Sequence, residues 1–219
     1  MHRNPISALK AFASKHTLRF ETVLALDGIG EASVYSWDMK KRYAYLQIWE
    51  PAKPIVLWVM LNPGTGDTEQ RRRNTLERCK GWSKDWKYGG LLIGNVFATR
   101  AKSSKLLFKT AQPIDDLNDE ALRLLSAEAK ETIVAWVGKR RAHPSIQRLL
   151  TTLRGARCLG VTKKGEPFHP LYVKRAVTPI AWVDPVLANG DAQPLAQAGR
   201  LVGGAARRSL AQTQTGVKR

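Results

Sequence analysis

The fold is decided by residues 55–64, which read IVLWVMLNPG. An unbroken apolar run such as 55–61 is typical of a strand that is buried on both faces, and the Asn-Pro-Gly that follows is typical of a loop. Similar apolar runs recur along the chain, and segments with helical spacing of apolar residues separate them. The other predicted strands are 91–97, 132–137 and 157–161, and the predicted helices are 68–86, 115–130 and 145–153. This alternation predicts an α/β domain with a central, mostly parallel sheet of about four strands flanked by helices.

Outward from this core, the sequence divides into three parts. The segment 1–31 is predicted to be helical, with a helix over 5–18. The α/β domain spans 32–182 and begins with an antiparallel hairpin over 33–49. The remainder is rich in Gly, Ala, Gln and Arg, and we expect 183–219 to be a basic, weakly ordered tail.

The charge balance indicates a nucleic-acid partner. The chain of 219 residues carries 36 Lys and Arg against 18 Asp and Glu, a net charge of +18. A surplus of this size attracts polyanions, although a basic background or a basic tail would also produce it. No apolar run is long enough to span a membrane, and no basic amphipathic helix with a strong apolar face stands out. We therefore expect nucleic acid, and no membrane, as the partner.

The cysteines and the start of the chain bear on compartment and cofactors. Cys79 and Cys158 match no zinc-site spacing and are too few for a disulfide framework. The first residues are not followed by an apolar stretch of signal-peptide type. Neither a phosphate-binding Gly-Lys-Ser/Thr loop nor a Gly-x-Ser-x-Gly elbow occurs. These features predict a cytoplasmic protein with no metal and no cofactor.

Polar residues at the carboxyl ends of the predicted strands are the candidates for chemistry, because ligands bind at that edge of a parallel sheet. Asn62 follows the first buried strand, and Pro63 restricts it to an extended conformation that aims its amide. Gly64 allows the backbone to approach a ligand closely, although a simple turn explains Asn-Pro-Gly as well. Asp67 is a candidate general base, and a cap of the following helix is the safer assignment.

Two further strand ends carry candidate residues. Asn95 lies in an otherwise apolar strand, where its amide either bonds to the backbone or reads the edge of a base. His169 lies beyond the fourth strand, and it is either a residue that only supports the structure or a residue of the functional site. Phe97 is a candidate for stacking on a base.

Basic residues cluster near these strand ends. Side chains of this kind on loops suit contact with phosphates. The candidate DNA-binding residues of this type are Arg71, Arg72, Arg73, Lys139, Arg140, Lys163, Lys164 and Lys174.

Taken in order, these motifs resemble those of the uracil-DNA glycosylase superfamily. The stretch 60–64, MLNPG, is similar to the Gly-Ile-Asn-Pro-Gly of its mismatch-specific branch, and 93–101, IGNVFATRA, is similar to a strand motif of other branches. The stretch 169–171, HPL, resembles the final His-Pro-Ser-type loop. More closely, the chain resembles a bacterial and phage family of unknown function with a Met-Leu-Asn-Pro-Ser-type motif and a terminal His-Pro-Leu-Tyr. The resemblance covers about 32–182.

The resemblance implies a uracil-DNA glycosylase-like fold and an enzyme that flips a nucleotide out of the duplex and hydrolyses its sugar–base bond. It implies that Asn62 positions the attacking water and that Asn95 hydrogen-bonds the base edge. His169 would stabilise the negative charge on the leaving base. Leu171 or Tyr172 would wedge into the gap that the base leaves, and the clustered arginines and lysines would hold phosphates.

Departures from these motifs favour an unusual substrate. Met60 replaces a glycine, the first loop lacks the Asp of the most active branch, and Leu171 replaces the final Ser. We therefore expect a larger modified pyrimidine in place of uracil, such as hydroxymethylated or glucosylated cytosine in phage DNA, with a role in defence against phage. The alternatives are a non-catalytic nucleic-acid-binding protein on the same fold and an enzyme that acts on free modified nucleotides.

Overall fold

A mixed β-sheet lies at the centre of the protein. The computed structural model describes residues 5–64, 74–102, 104–110, 114–136, 144–153 and 155–182. Within these residues the strands are β1 (Arg19–Leu24), β2 (Gly30–Tyr35), β3 (Arg42–Ile48), β4 (Ile55–Met60), β5 (Gly90–Asn95), β6 (Glu131–Val134), β7 (Arg157–Cys158) and β8 (Ile180–Ala181). The helices are α1 (Pro5–Lys15), α2 (Asn74–Asp85), α3 (Ser104–Thr110), α4 (Asp116–Glu128) and α5 (Pro144–Thr152), and a 3₁₀ helix spans Pro170–Tyr172.

The strand order across the sheet is β1-β2-β3-β5-β4-β6-β7-β8. The pairs β4–β5, β4–β6 and β6–β7 are parallel. The pairs β1–β2, β2–β3, β3–β5 and β7–β8 are antiparallel. The prediction of about four, mostly parallel strands is therefore wrong: the described residues form eight strands whose pairings are mostly antiparallel. The α/β class is the same in both cases.

Non-local pairing is the physical reason for this difference. The four strands predicted from apolar runs form one contiguous block, β5-β4-β6-β7. The hairpin β2–β3 does not stand apart from this block, because β3 pairs with β5 from Tyr45↔Ile93 to Ile48↔Gly90. The strand β8, which was not predicted, pairs with β7 at the other edge through two residues only.

The N-terminal segment belongs to the same sheet. Residues 1–31 were predicted to be helical, but only Pro5–Lys15 is a helix among the described ones, and β1 pairs along the whole of β2. The strand β1 is mostly exposed, so it carries no apolar pattern that would reveal it. The described residues all lie within one structural unit, Met1–Pro185. The predicted basic tail, 183–219, lies outside the described residues.

Helices cover both faces of the sheet. On one face α1, α4 and α5 contribute to a core cluster with β2, β3, β4 and β5. On the opposite face α2 packs its Cys79 and Trp82 against Trp58, Ile93 and Ile133 of the sheet. Within the described ranges, no helix combines the length and the apolar composition that crossing a membrane requires.

The close approach of α4 to the sheet depends on Gly94 in β5. A Cβ atom at this position would lie 2.5 Å from Leu122 Cδ2 and 3.2 Å from Leu125 Cδ1. Both leucines are fully buried, so they have little room to move. We expect Gly94→Ala to lower the free energy of unfolding by about 1–3 kcal/mol, measured by urea denaturation.

The double variant Gly94→Ala/Leu122→Ala is the control for this prediction. Removing the Leu122 side chain relieves the closest contact, so the double variant should lose less stability than the two single losses added together. If the two losses of stability add, or if Gly94→Ala is as stable as the wild type, the contact between position 94 and Leu122 does not determine how α4 packs on the sheet.

Candidate active site at the carboxyl ends of the parallel strands

Three candidate residues, one at the end of a parallel strand and two beyond such ends, are placed at the same edge of the sheet, here called the carboxyl edge. Met60 of β4 pairs in parallel register with Asn95 of β5, and Asn62 lies two residues beyond Met60. The chain after β7 stays at this edge, because the Phe168 N–H donates to the Gly160 carbonyl (2.9 Å) and His169 comes next. Within the described residues, no hydrogen bond joins the three side chains directly. Their convergence on one ligand stays a prediction.

The amide of Asn62 is fixed by the backbone around it. Its Nδ2 donates to the Pro63 carbonyl (2.9 Å) and to the Ala101 carbonyl (3.1 Å). Both amide hydrogens are used in this way, so Oδ1 is the group left to contact a water or a substrate. Gly64, just beyond, is exposed. An acceptor held rigidly beside a strand end can orient a water molecule.

Asn95 is the last residue of β5 and is only 1% exposed. Its Oδ1 accepts a hydrogen bond from Arg42 Nη2 (3.5 Å), and its backbone carbonyl accepts from Asn118 Nδ2 (3.0 Å). Its own Nδ2 has no partner among the described residues. A buried N–H without a partner is uncommon and indicates either a ligand site or an ordered water. Arg42 was not predicted as a site residue, because it lies on β3 and contacts Asn95 on β5, 53 positions away in the sequence.

His169 begins the 3₁₀ helix Pro170–Tyr172 as its N-cap residue. Its Nδ1 accepts a hydrogen bond from the Leu171 N–H (3.3 Å). Burial lowers the pKa of His169 from its usual value of 6.5. The imidazole is therefore neutral near pH 7, and its hydrogen is on Nε2, because Nδ1 acts as an acceptor. A neutral imidazole with a free N–H is a donor of the kind that stabilises developing negative charge.

Arg78 of α2 holds the turn that carries His169. Its Nε donates to the Pro170 carbonyl (2.9 Å), and its Nη2 donates to the Val173 carbonyl. The guanidinium lies 5.0 Å from the centre of the Trp82 ring. One side chain thus fixes both ends of the 3₁₀ helix. In the sequence, Arg78 is one of several basic residues in the same stretch. Its role in holding the 3₁₀ helix could therefore not be identified from the sequence.

Two apolar side chains that follow His169 are exposed, and exposed lysines flank this segment in the sequence. Leu171 is 41% exposed and Tyr172 is 76% exposed, and the Tyr172 and His169 rings lie 5.7 Å apart. The three basic side chains predicted to contact phosphates here are exposed, namely Lys163, Lys164 and Lys174. An exposed aromatic tip among cations suits contact with nucleic acid.

Other candidates lie in the core or outside the described residues. Phe97 is 3% exposed and packs edge-to-face on Phe108 with ring centres 5.4 Å apart. Its assignment to base stacking therefore stays a prediction that requires this part of the core to open. Among the residues with assigned positions, no group of three or more His, Cys, Asp or Glu side chains could hold a metal ion. The candidates that lie outside the described residues are Asp67, Arg71, Arg72, Arg73, Lys139 and Arg140.

Fold and site define an α/β protein with a mixed sheet and a polar carboxyl edge. Residues 42–171 match the model of the family described as "Protein of unknown function (DUF1643)". The match covers more than half of the chain, and the protein therefore belongs to that family. It includes Asn62, Asn95 and His169, whereas β1 and β2 precede it. No curated protein and no solved structure matches the chain.

Proposed function

We propose that the protein is a DNA glycosylase that removes a flipped-out modified pyrimidine, such as glucosylated hydroxymethylcytosine in phage DNA, and leaves an abasic site. The observation that carries the proposal is the pairing of an imidazole, whose Nδ1 accepts from the Leu171 N–H, with an exposed Leu171–Tyr172 tip on one turn that Arg78 holds. An enzyme that takes a base out of the stack needs both a wedge for the duplex and a donor for the leaving base. Excision of a phage-specific base would act as a defence against phage.

The proposed reaction uses water as the nucleophile. Asn62 Oδ1 accepts a hydrogen bond from the water and directs its oxygen towards C1′ of the flipped nucleotide. The C1′–O bond forms as the bond from C1′ to the base nitrogen breaks, and the electron pair of that bond stays on the base. His169 Nε2–H donates a hydrogen bond to the negative charge that develops there. The attacking water loses one proton to the solvent, so that C1′ carries a hydroxyl, and the departing base takes up one proton from the solvent. Asn95 holds the edge of the base.

The partner and the location follow from the same proposal. The net charge of +18 and the exposed lysines that flank His169 in the sequence favour DNA as the partner. Cys79 and Cys158 are both free and buried, in keeping with a reducing cytoplasm as the proposed location.

The burial of Asn95 and Phe97 favours a second candidate function. Both side chains are almost fully enclosed, so no base contacts them without a rearrangement. A non-catalytic DNA-binding protein would need only the exposed lysines and the Tyr172 tip. This candidate predicts tight, salt-sensitive DNA binding with no released base.

Release of free base from DNA separates the two candidates. The wild type is incubated with ordinary, hydroxymethylated and glucosylated DNA, and the supernatant is analysed for free base by mass spectrometry. We expect release from modified DNA, and about 100-fold slower release by Asn62→Ala, because the water loses its orienting acceptor.

Gln47→Ala is the matched control, since it removes an amide that bonds to Glu31 (2.9 Å) across the β2–β3 pair. It should leave base release unchanged. Equal release by Asn62→Ala and the wild type would contradict the catalytic assignment, and DNA binding without any released base would favour the second candidate.

A further inference from the structure

Arg42 fixes the direction in which the Asn95 amide points. An arginine side chain offers only hydrogen-bond donors, so the atom of Asn95 that faces it has to be the acceptor Oδ1. The distance from Arg42 Nη2 to Oδ1 is 3.5 Å. The opposite orientation would place the Nδ2 hydrogens against a positive charge. Nδ2 therefore points away from Arg42, towards a position at which no described residue accepts its hydrogens.

Arg42 itself is held in place from several directions. It is 7% exposed, and its guanidinium lies 5.7 Å from the centre of the Tyr45 ring. Its backbone N–H donates to the Ala98 carbonyl (2.9 Å), which ties the start of β3 to the segment after β5. A side chain enclosed in this way does not swing aside to let the amide of Asn95 turn over.

An enclosed donor without a partner is costly, by about 1–3 kcal/mol. A ligand that supplies an acceptor recovers this energy, and a ligand that presents a hydrogen at the same point does not. The site therefore discriminates by the type of atom that faces Nδ2. On the Watson–Crick edge of a pyrimidine the central atom is N3, which is an acceptor in cytosine and carries a hydrogen in uracil. Because O2, and O4 of uracil, are acceptors in their own right, the discrimination requires that N3 is the atom that faces Nδ2.

We propose that Arg42 is a positioning residue that leaves only the Nδ2 donor of Asn95 to contact the base. The site therefore binds a cytosine-type base and rejects a uracil-type base. A uracil N3–H would need Oδ1 as its acceptor, and Oδ1 faces Arg42. Cytosine keeps its N3 acceptor when C5 is hydroxymethylated or glucosylated. The base has to displace the groups that now enclose Nδ2. The inference rests on the proposed function and specifies its substrate class.

Binding and release are measured separately to test this. Binding is followed by fluorescence anisotropy on duplexes with one non-cleavable 2′-fluoroarabino nucleotide that carries cytosine, 3-deazacytosine or uracil. We expect the wild type to bind the cytosine duplex about 10-fold or more tightly than the other two, which lack the N3 acceptor. Arg42→Met should reduce this preference to about 2-fold, because the amide becomes free to turn, and Arg42→Lys should retain part of it.

Two further variants separate an effect on base recognition from an effect on protein folding. Asn95→Asp replaces the donor by an acceptor and places a carboxylate beside Arg42, so we expect an unchanged melting temperature and at least about a 100-fold loss of base release. Arg157→Met is the control for loss of a partly buried arginine, since Arg157 pairs with Glu131 (2.9 Å) away from Asn95. It should keep the wild-type preference for cytosine.

Each outcome decides at least one of the two proposals. The role of Arg42 in base recognition is overturned if base is released but binding shows no preference for the N3 acceptor. It is also overturned if Arg42→Met weakens the binding of all three duplexes by the same factor. A third outcome is that binding depends on the N3 acceptor, Arg42→Met removes this dependence, and no DNA releases a base. This outcome supports the role of Arg42 in base recognition and overturns the glycosylase proposal. If the wild type shows neither a preference nor release, both proposals are wrong.

Discussion

Trp58→Ala is expected to lower the free energy of unfolding by about 3–5 kcal/mol, the range for removing a large aromatic side chain from a core. Trp58 is fully buried in β4, and its ring stacks with those of Trp82 (6.1 Å between centres) and Trp86 (5.6 Å). Its Nε1–H donates to Ser83 Oγ (3.0 Å). The alanine would leave a cavity between the sheet and α2, and Ser83 would lose its donor. Urea denaturation followed by near-ultraviolet circular dichroism measures the loss.

Trp58→Phe and Trp86→Ala are the controls for this prediction. The phenylalanine keeps one ring in the stack and loses the second ring and the indole N–H, so it should cost less than the alanine. Trp86 is only partly buried, so its removal should also cost less than that of Trp58. A loss below about 1 kcal/mol for Trp58→Ala would mean that the three rings do not anchor α2 to the sheet.

The central strands could be predicted because burial on both faces leaves a local signal. The apolar run 55–61 corresponds to Ile55–Met60, and the pattern over 145–153 corresponds to the helix Pro144–Thr152. The strand Arg19–Leu24 left no such signal because its side chains are largely exposed. Its place in the sheet is set by pairing with β2, and strand pairing is not written in the periodicity of either segment.

The site was predictable to a smaller extent than the fold. The position of Asn62 and Asn95 after parallel strands follows from the local pattern, because such strands end at one edge. The groups that orient the side chains come from distant parts of the sequence. Arg78 and Pro170 are 92 positions apart, and Arg42 and Asn95 are 53 apart. Contacts over such separations depend on the topology, and the topology was the part of the fold that the prediction missed.

His169→Asn is expected to slow base release by about 100- to 1000-fold, the range for losing one preorganised donor at a developing charge. Asparagine is a good N-cap residue, and its Oδ1 can accept from the Leu171 N–H as Nδ1 does now. The variant therefore keeps the N-cap hydrogen bond and removes the imidazole ring with its Nε2–H. Single-turnover release of free base, together with the melting temperature, measures the effect.

Arg78→Met tests the same turn from its other side. It leaves the imidazole intact and frees the Pro170 and Val173 carbonyls. We expect weaker binding of DNA and slower release, by about 10-fold each, because both Tyr172 and His169 lose their fixed position. A His169→Asn protein with wild-type release would remove the imidazole from the mechanism, whatever the result for Arg78.

The pH dependence of His169 gives an independent check on its role. Because burial lowers its pKa below 6.5, the folded protein binds this proton more weakly than the unfolded chain does. The contribution of His169 to stability is therefore complete above the usual pKa and is lost as the pH falls from there towards the lowered value. Protonation also takes away the Nδ1 acceptor of Leu171. Base release should therefore decline with an inflection below pH 6.5, and the inflection should be absent in His169→Asn. An inflection that persists in this variant would assign the titration to another group.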